Sequence, residues 1–72
     1  MTLIKFLIEQ NRTHPGMELH IMSPSSLKLI STVNDMILDM EVDYRYREKY
    51  NLPVKEFERE NNLLRVWLNE YK

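Results

Sequence analysis

From Met36 to Arg47 the chain alternates. Met36, Leu38, Met40, Val42, Tyr44 and Tyr46 take every second position, and from residue 39 onward Asp39, Glu41, Asp43, Arg45 and Arg47 stand between them. Successive side chains of a strand point to opposite faces, so this period predicts a long strand with an apolar face in the core and a charged face in water. A helix would set Met36 and Met40 on one side and Leu38 and Val42 nearly opposite, which an amphipathic helix disfavours. The competing reading is a long helix that starts at Ser23-Pro24, with serine as cap and proline in the first helical position.

The flanking segments place this strand in a larger order. Thr2 to Asn11 sets Leu3, Ile4, Leu7 and Ile8 on one helical face, widened by Phe6. A strand is the alternative there, because Ile4, Phe6 and Ile8 also alternate. His14-Pro15-Gly16 ends the element. Met17 to Met22 alternates as a short strand, Ser23-Pro24-Ser25-Ser26 is a turn cluster, and Leu27 to Val33 is a second strand. Asn34-Asp35 suits a tight hairpin into the third. Asn51-Leu52-Pro53 then opens a helix to about Tyr71, with Asn51 free to accept a backbone N–H. Its stripe is Val54, Phe57, Leu64, Leu68 and Tyr71. Glu56, Glu58 and Glu60 fall early, where the helix dipole favours negative charge. The expected fold is one small α+β domain spanning residues 1–72, ordered α-β-β-β-α, with a three-stranded antiparallel meander packed against a C-terminal helix.

That order and length resemble the double-stranded-RNA-binding domain. The likeness is one of topology. The family opens its last helix with a lysine-rich run, whereas this chain has Val54-Lys55-Glu56-Phe57-Glu58-Arg59-Glu60, and three glutamates there would oppose RNA.

Composition narrows the function classes. A chain of 72 residues buries only about 60% of its unfolded surface, so its core is marginal. It has no cysteine, which excludes disulfides and thiolate zinc sites and fits a reducing cytoplasm. His14 and His20 stand six apart and match no metal-ligand spacing, so neither metal nor cofactor is expected, and self-association is the remaining reinforcement. The apolar run Leu3 to Ile8 is broken by Lys5 and is too short to cross a bilayer. Ten basic residues against eleven acidic ones leave a charge of −1, which favours neither nucleic acid nor a membrane surface. Gly16 is the single glycine, so no phosphate-cradling loop exists, and neither the serines nor the histidines sit in a nucleophile motif. No enzyme is expected.

Two surfaces remain. On a strand, Asp39, Glu41 and Asp43, with Asp35 just before, would form a row of carboxylates roughly 6.6–6.8 Å apart. Arg45, Arg47 and Lys49 follow, interleaved with Tyr44, Tyr46 and Tyr50. With Lys55 they are the residues a nucleic-acid-binding domain would use, though the adjacent carboxylates would repel phosphate. On the last helix, Leu63 and Val66 lie off the main stripe, Trp67 flanks it as an anchor for a second contact surface, and Asn61 interrupts it. Met17, Met22, Met36 and Met40 read as core filler. The expected function is a non-enzymatic module that binds another protein, or a second copy as a homodimer, through Asp39, Glu41, Asp43, Arg45, Arg47 and Trp67. A phage or mobile-element accessory protein that inhibits a host machine is a setting of this size and style.

Overall fold

The computed structural model describes residues 1–23 and 29–69. The turn expected at Pro24-Ser25-Ser26, the first two residues of the Leu27 to Val33 strand, and Tyr71 lie outside them. The order is α1 (Leu3–Thr13), β1 (Glu18–Ser23), β2 (Leu29–Thr32), α2 (Val33–Val42), α3 (Tyr44–Tyr50), β3 (Val54–Glu60) and β4 (Leu63–Leu68). The class is α+β, and the opening helix-strand-strand run stands as expected. The strands form one mixed sheet in the order β2-β1-β4-β3. Two antiparallel hairpins, β1 with β2 and β3 with β4, are joined by the parallel pair of β1 and β4.

Helix α1 buries Leu3, Phe6 and Leu7. Its first N–H groups find partners far along the chain. Asn51 Oδ1 accepts the Ile4 N–H at 3.0 Å, and the Leu52 carbonyl accepts the Leu3 N–H at 3.0 Å. Asn51 is thus a cap, as its residue type suggests, but for the first helix and not for one that follows it.

The third strand expected at residues 36–47 is two helices. Thr32 Oγ1 accepts the Asp35 N–H at 3.1 Å, so Asn34-Asp35 is the first turn of α2 and not a hairpin turn. Val33, Met36, Ile37 and Met40 are all buried and form a helical stripe at spacings of three and four. Leu38 and Val42 are left pointing outward, 49% and 82% exposed. The alternation is therefore the sum of a buried set and an exposed set. Asp43 then breaks the run. Its Oδ1 accepts the Arg45 and Tyr46 N–H groups at 3.0 and 3.4 Å, starting α3 on a new axis, and Tyr50 turns into the core.

The helix expected over residues 51–71 is a β-hairpin. β4 alternates Leu64, Val66 and Leu68, all buried, against half-buried Leu63, Arg65 and Trp67. The two-residue turn is Asn61-Asn62, where Asn61 takes φ +52°, a left-handed conformation that asparagine tolerates better than most residues. The likeness to the double-stranded-RNA-binding order ends with these two exchanges.

Leu19 and Ile21 of β1 join Leu64, Val66 and Leu68 on one face of the sheet, under α1 and α2, with Met17, Tyr50 and Leu52 completing the core. Met17, Met36 and Met40 are core filler as expected, while Met22 is half-buried at a bulge in β1.

Thr32→Ala removes a helix cap and is expected to lower stability by about 1 kcal/mol. Asn61→Val forces a β-branched residue into positive φ and should cost about 1–2 kcal/mol. Urea denaturation followed by circular dichroism reads both.

Candidate interaction face of the sheet

Because the core takes one parity along each strand, the other parity forms a second face, which no described helix covers. Its cross-strand rows follow from the register. Glu60, Leu63, Glu18 and Thr32 run across one end, Glu58, Arg65, His20 and Ile30 across the middle, and Glu56 and Trp67 lie side by side at the other end.

One margin of this face is acidic. Glu56, Glu58 and Glu60 take alternate positions on β3, so their carboxylates share a face at the strand repeat of roughly 6.6–6.8 Å. Arg65, next to them on β4, reaches Glu60 at 3.3 Å and Glu58 at 3.8 Å. Arg65 thus serves two of the four glutamates on this face, Glu58 and Glu60, with Glu56 and Glu18 beside them. On the opposite margin the described residues are Thr32 and Ile30, the latter 77% exposed. Trp67, Leu63 and His20 lie between, each half-buried by its neighbours. At the turn end a cleft of about 380 Å³ is lined by Glu18, Glu60, Asn61, Asn62, Leu63 and Arg65. The turn is pinned from below, because Asn62 Nδ2 donates to the Gly16 carbonyl at 3.1 Å and the Asn62 carbonyl accepts the Glu18 N–H at 2.8 Å.

Trp67 alone of the partner-binding residues expected from the sequence stands on this face. Asp39, Glu41, Asp43, Arg45 and Arg47 belong to the helices, and no carboxylate row exists at 39–43. Asp43 is occupied as the cap of α3. Arg47 Nε donates to the Met40 carbonyl at 2.9 Å, and its Nη2 reaches the Glu41 carbonyl at 3.5 Å, closing the end of α2 where the carbonyls lack helical partners. Asp39, Glu41 and Arg45 are exposed on the helix side, with Leu38, Val42 and Tyr44 beside them in sequence.

The tyrosines of the nucleic-acid reading are largely engaged in packing. The Tyr46 and Tyr50 rings meet at 4.8 Å, and Lys49 Nζ lies 5.4 Å from the Tyr50 ring centre. Partial burial pushes the Tyr46 phenol above its ordinary value, and the neighbouring Tyr50 and Asp39 push the same way. Lys55 is the extra residue of a bulge in β3 and is exposed.

Glu56, Glu58 and Glu60, expected in the first turns of a helix, stand on β3. Their signal was present in Glu-x-Glu-x-Glu followed by Asn-Asn and an alternating apolar run, which is a hairpin pattern. Fold and face together define a small α+β domain with an open-faced mixed sheet. Comparison with protein-family models, curated proteins and solved structures finds no match. Among the described residues, no helix is long and apolar enough to cross a membrane.

Arg47→Ala leaves α2 carbonyls without their charged donor and is expected to cost about 1.5–3 kcal/mol, whereas Arg45→Ala should stay within about 0.5 kcal/mol. Urea midpoints separate them. For Tyr46, the raised folded value means its contribution is complete below the free tyrosine value, about 10, and is lost as pH rises through the folded value. Tyr46→Phe should therefore flatten the alkaline fall in the urea midpoint.

Proposed function

We propose that the protein is a non-enzymatic interaction module that engages another protein through the open face of its sheet. The carrying observation is Trp67, half-buried on a sheet face that no described helix covers, directly across from Glu56 and beside a three-carboxylate margin. Tryptophan supplies the large contact area typical of interface anchors. The acidic margin supplies orientation and selects basic partners. Partner binding moves from the residues expected at 39–47 to Glu56, Glu58, Glu60 and Trp67, with the same division of labour between charge and buried area. The mechanism is coverage of a partner surface, by occlusion or by assembly.

Charge argues for a different protein over a second copy. Stacked face to face about a two-fold axis across the strands, two copies set the acidic margin on itself. About an axis along the strands, the margin falls on Ile30 and Thr32, and neither of these described residues of β2 is basic. The same margin disfavours a polyphosphate backbone on this face.

Affinity purification from the native host with wild-type protein and with Trp67→Thr tests the reading. The recovered partner should be lost with Trp67→Thr and with Ile30→Glu, and retained with the helix-side variants Asp39→Asn and Arg45→Ala. Loss on the helix side alone would refute it. Melting temperatures of the isolated protein should be independent of concentration, whereas a homodimer would show a rise.

A further inference from the structure

The sheet ends at β3, and among the described residues the edge of that strand is open beyond its start. There Thr2 bridges Pro53 in antiparallel sense and the Met1 carbonyl accepts the Val54 N–H at 2.8 Å. From Lys55 to Glu60 every residue is exposed, and no backbone group there bonds to any described segment except β4. A two-residue hairpin is closed by a hydrogen-bonded pair, here Glu60 with Leu63. This directs the Phe57 and Arg59 backbone groups to the outer edge.

The side chains along this edge carry a pattern. On the open face Glu56, Glu58 and Glu60 present one sign of charge at every second residue. On the helix face Phe57 is 47% exposed, its ring 4.9 Å from that of Phe6, and Arg59 is held by Gln10 at 2.9 Å. Charges on an edge strand ordinarily protect against unwanted pairing. Here the protection is selective. Pairing of two β3 edges sets glutamates against glutamates, which is unfavourable, yet a half-exposed phenylalanine remains in the middle of the edge.

We infer that β3 accepts an extended basic segment of a partner protein as a fifth strand. Lysine or arginine at alternate positions would stand opposite Glu56, Glu58 and Glu60, and an apolar residue between them would cover the outer half of Phe57. Main-chain bonds to the edge supply affinity, and the alternating side chains supply selectivity. The inference rests on the protein-binding reading above and adds the chemistry of the partner and the edge it uses.

Three synthetic peptides test it on the whole chain. The first is Thr-Lys-Val-Lys-Leu-Lys-Thr, acetylated and amidated. The second has the same composition with its lysines consecutive. The third is the first with alternate backbone nitrogens methylated, in two versions covering both registers. Binding is followed by amide chemical shifts and hydrogen exchange. The alternating peptide should bind with affinity that falls with salt, slow amide exchange at Phe57 and Arg59, and bind about tenfold more tightly than the permuted peptide. One methylated version should lose binding although its charge is intact. The Glu56→Gln, Glu58→Gln protein should bind more weakly with its melting temperature preserved. Equal binding of both methylated versions, or no binding of the alternating peptide in dilute salt, overturns the inference. Shifts centred on Trp67 and Ile30 without edge protection also overturn it while supporting the open-face reading. The Trp67→Thr purification does not depend on these peptides, so the two readings fail separately.

Discussion

The parallel pairing of β1 with β4 is the constraint on which the rest of the structure depends. It joins segments more than forty residues apart, Glu18 to Leu63 and Ile21 to Val66, and so ties an early hairpin to a late one. Leu19 and Ile21 then align with Leu64 and Val66 on a single face, and three helices need cover only that side. A domain this small has one core to bury, and closing a long loop to form the central pair is entropically costly. Spending the apolar residues on one face leaves the other as surface by necessity.

The sequence made the class and the order of the first three elements legible. Helix α1 also carries the alternation of Ile4, Phe6 and Ile8, and is settled as a helix by the burial of Leu3, Phe6 and Leu7. Residues 36–46 were misread because two helical sets, one buried and one exposed, interleave into a period of two. Exposed Leu38, Val42 and Tyr44 mimic the inward positions of a strand. The deciding signals were local and small. Thr32 three residues before Asp35, and Asp43 before Arg45 and Tyr46, are each a capping pattern, and each fixes a helix start that side-chain periodicity cannot. Residues 54–68 failed for the converse reason. β4 is partly buried on both faces, so Leu63, Leu64, Val66, Trp67 and Leu68 nearly saturate the strand and a helical stripe can be drawn through them. The Asn61-Asn62 turn at its start distinguishes the two.

Charge was reassigned by the same exchange. A carboxylate row at strand spacing was anticipated on residues 39–43 and exists instead on residues 56–60. Asp43 and Arg47, which look like surface charges in sequence, are instead hydrogen-bonded to backbone at the junction of α2 and α3. Such a junction needs both signs. An acid is required where the free N–H groups of α3 emerge and a base where the carbonyls of α2 end. The dipolar run from Asp39 to Lys49 is thus largely a record of one helix stopping and another starting. It is a poor guide to a partner, while among the described residues Glu58 and Glu60 have Arg65 as their ion-pair partner and none of the three glutamates caps a helix.

That difference separates structural charge from interaction charge on physical grounds. A carboxylate that accepts backbone N–H groups at a helix start is already satisfied, and presenting it to a partner would cost the bond it holds. Three water-exposed carboxylates in line, two of them within reach of one guanidinium, repel one another, and that repulsion falls when positive charge arrives. The sheet edge adds backbone donors and acceptors on the same margin, so the proposed basic strand would meet charge and main-chain partners together. Trp67 lies one strand inward from Glu56, close enough for a partner held at the edge to fold over the open face and bury it. In the proposed binding mode, edge and face would be adjoining parts of one surface, the first setting direction and register, the second supplying apolar area.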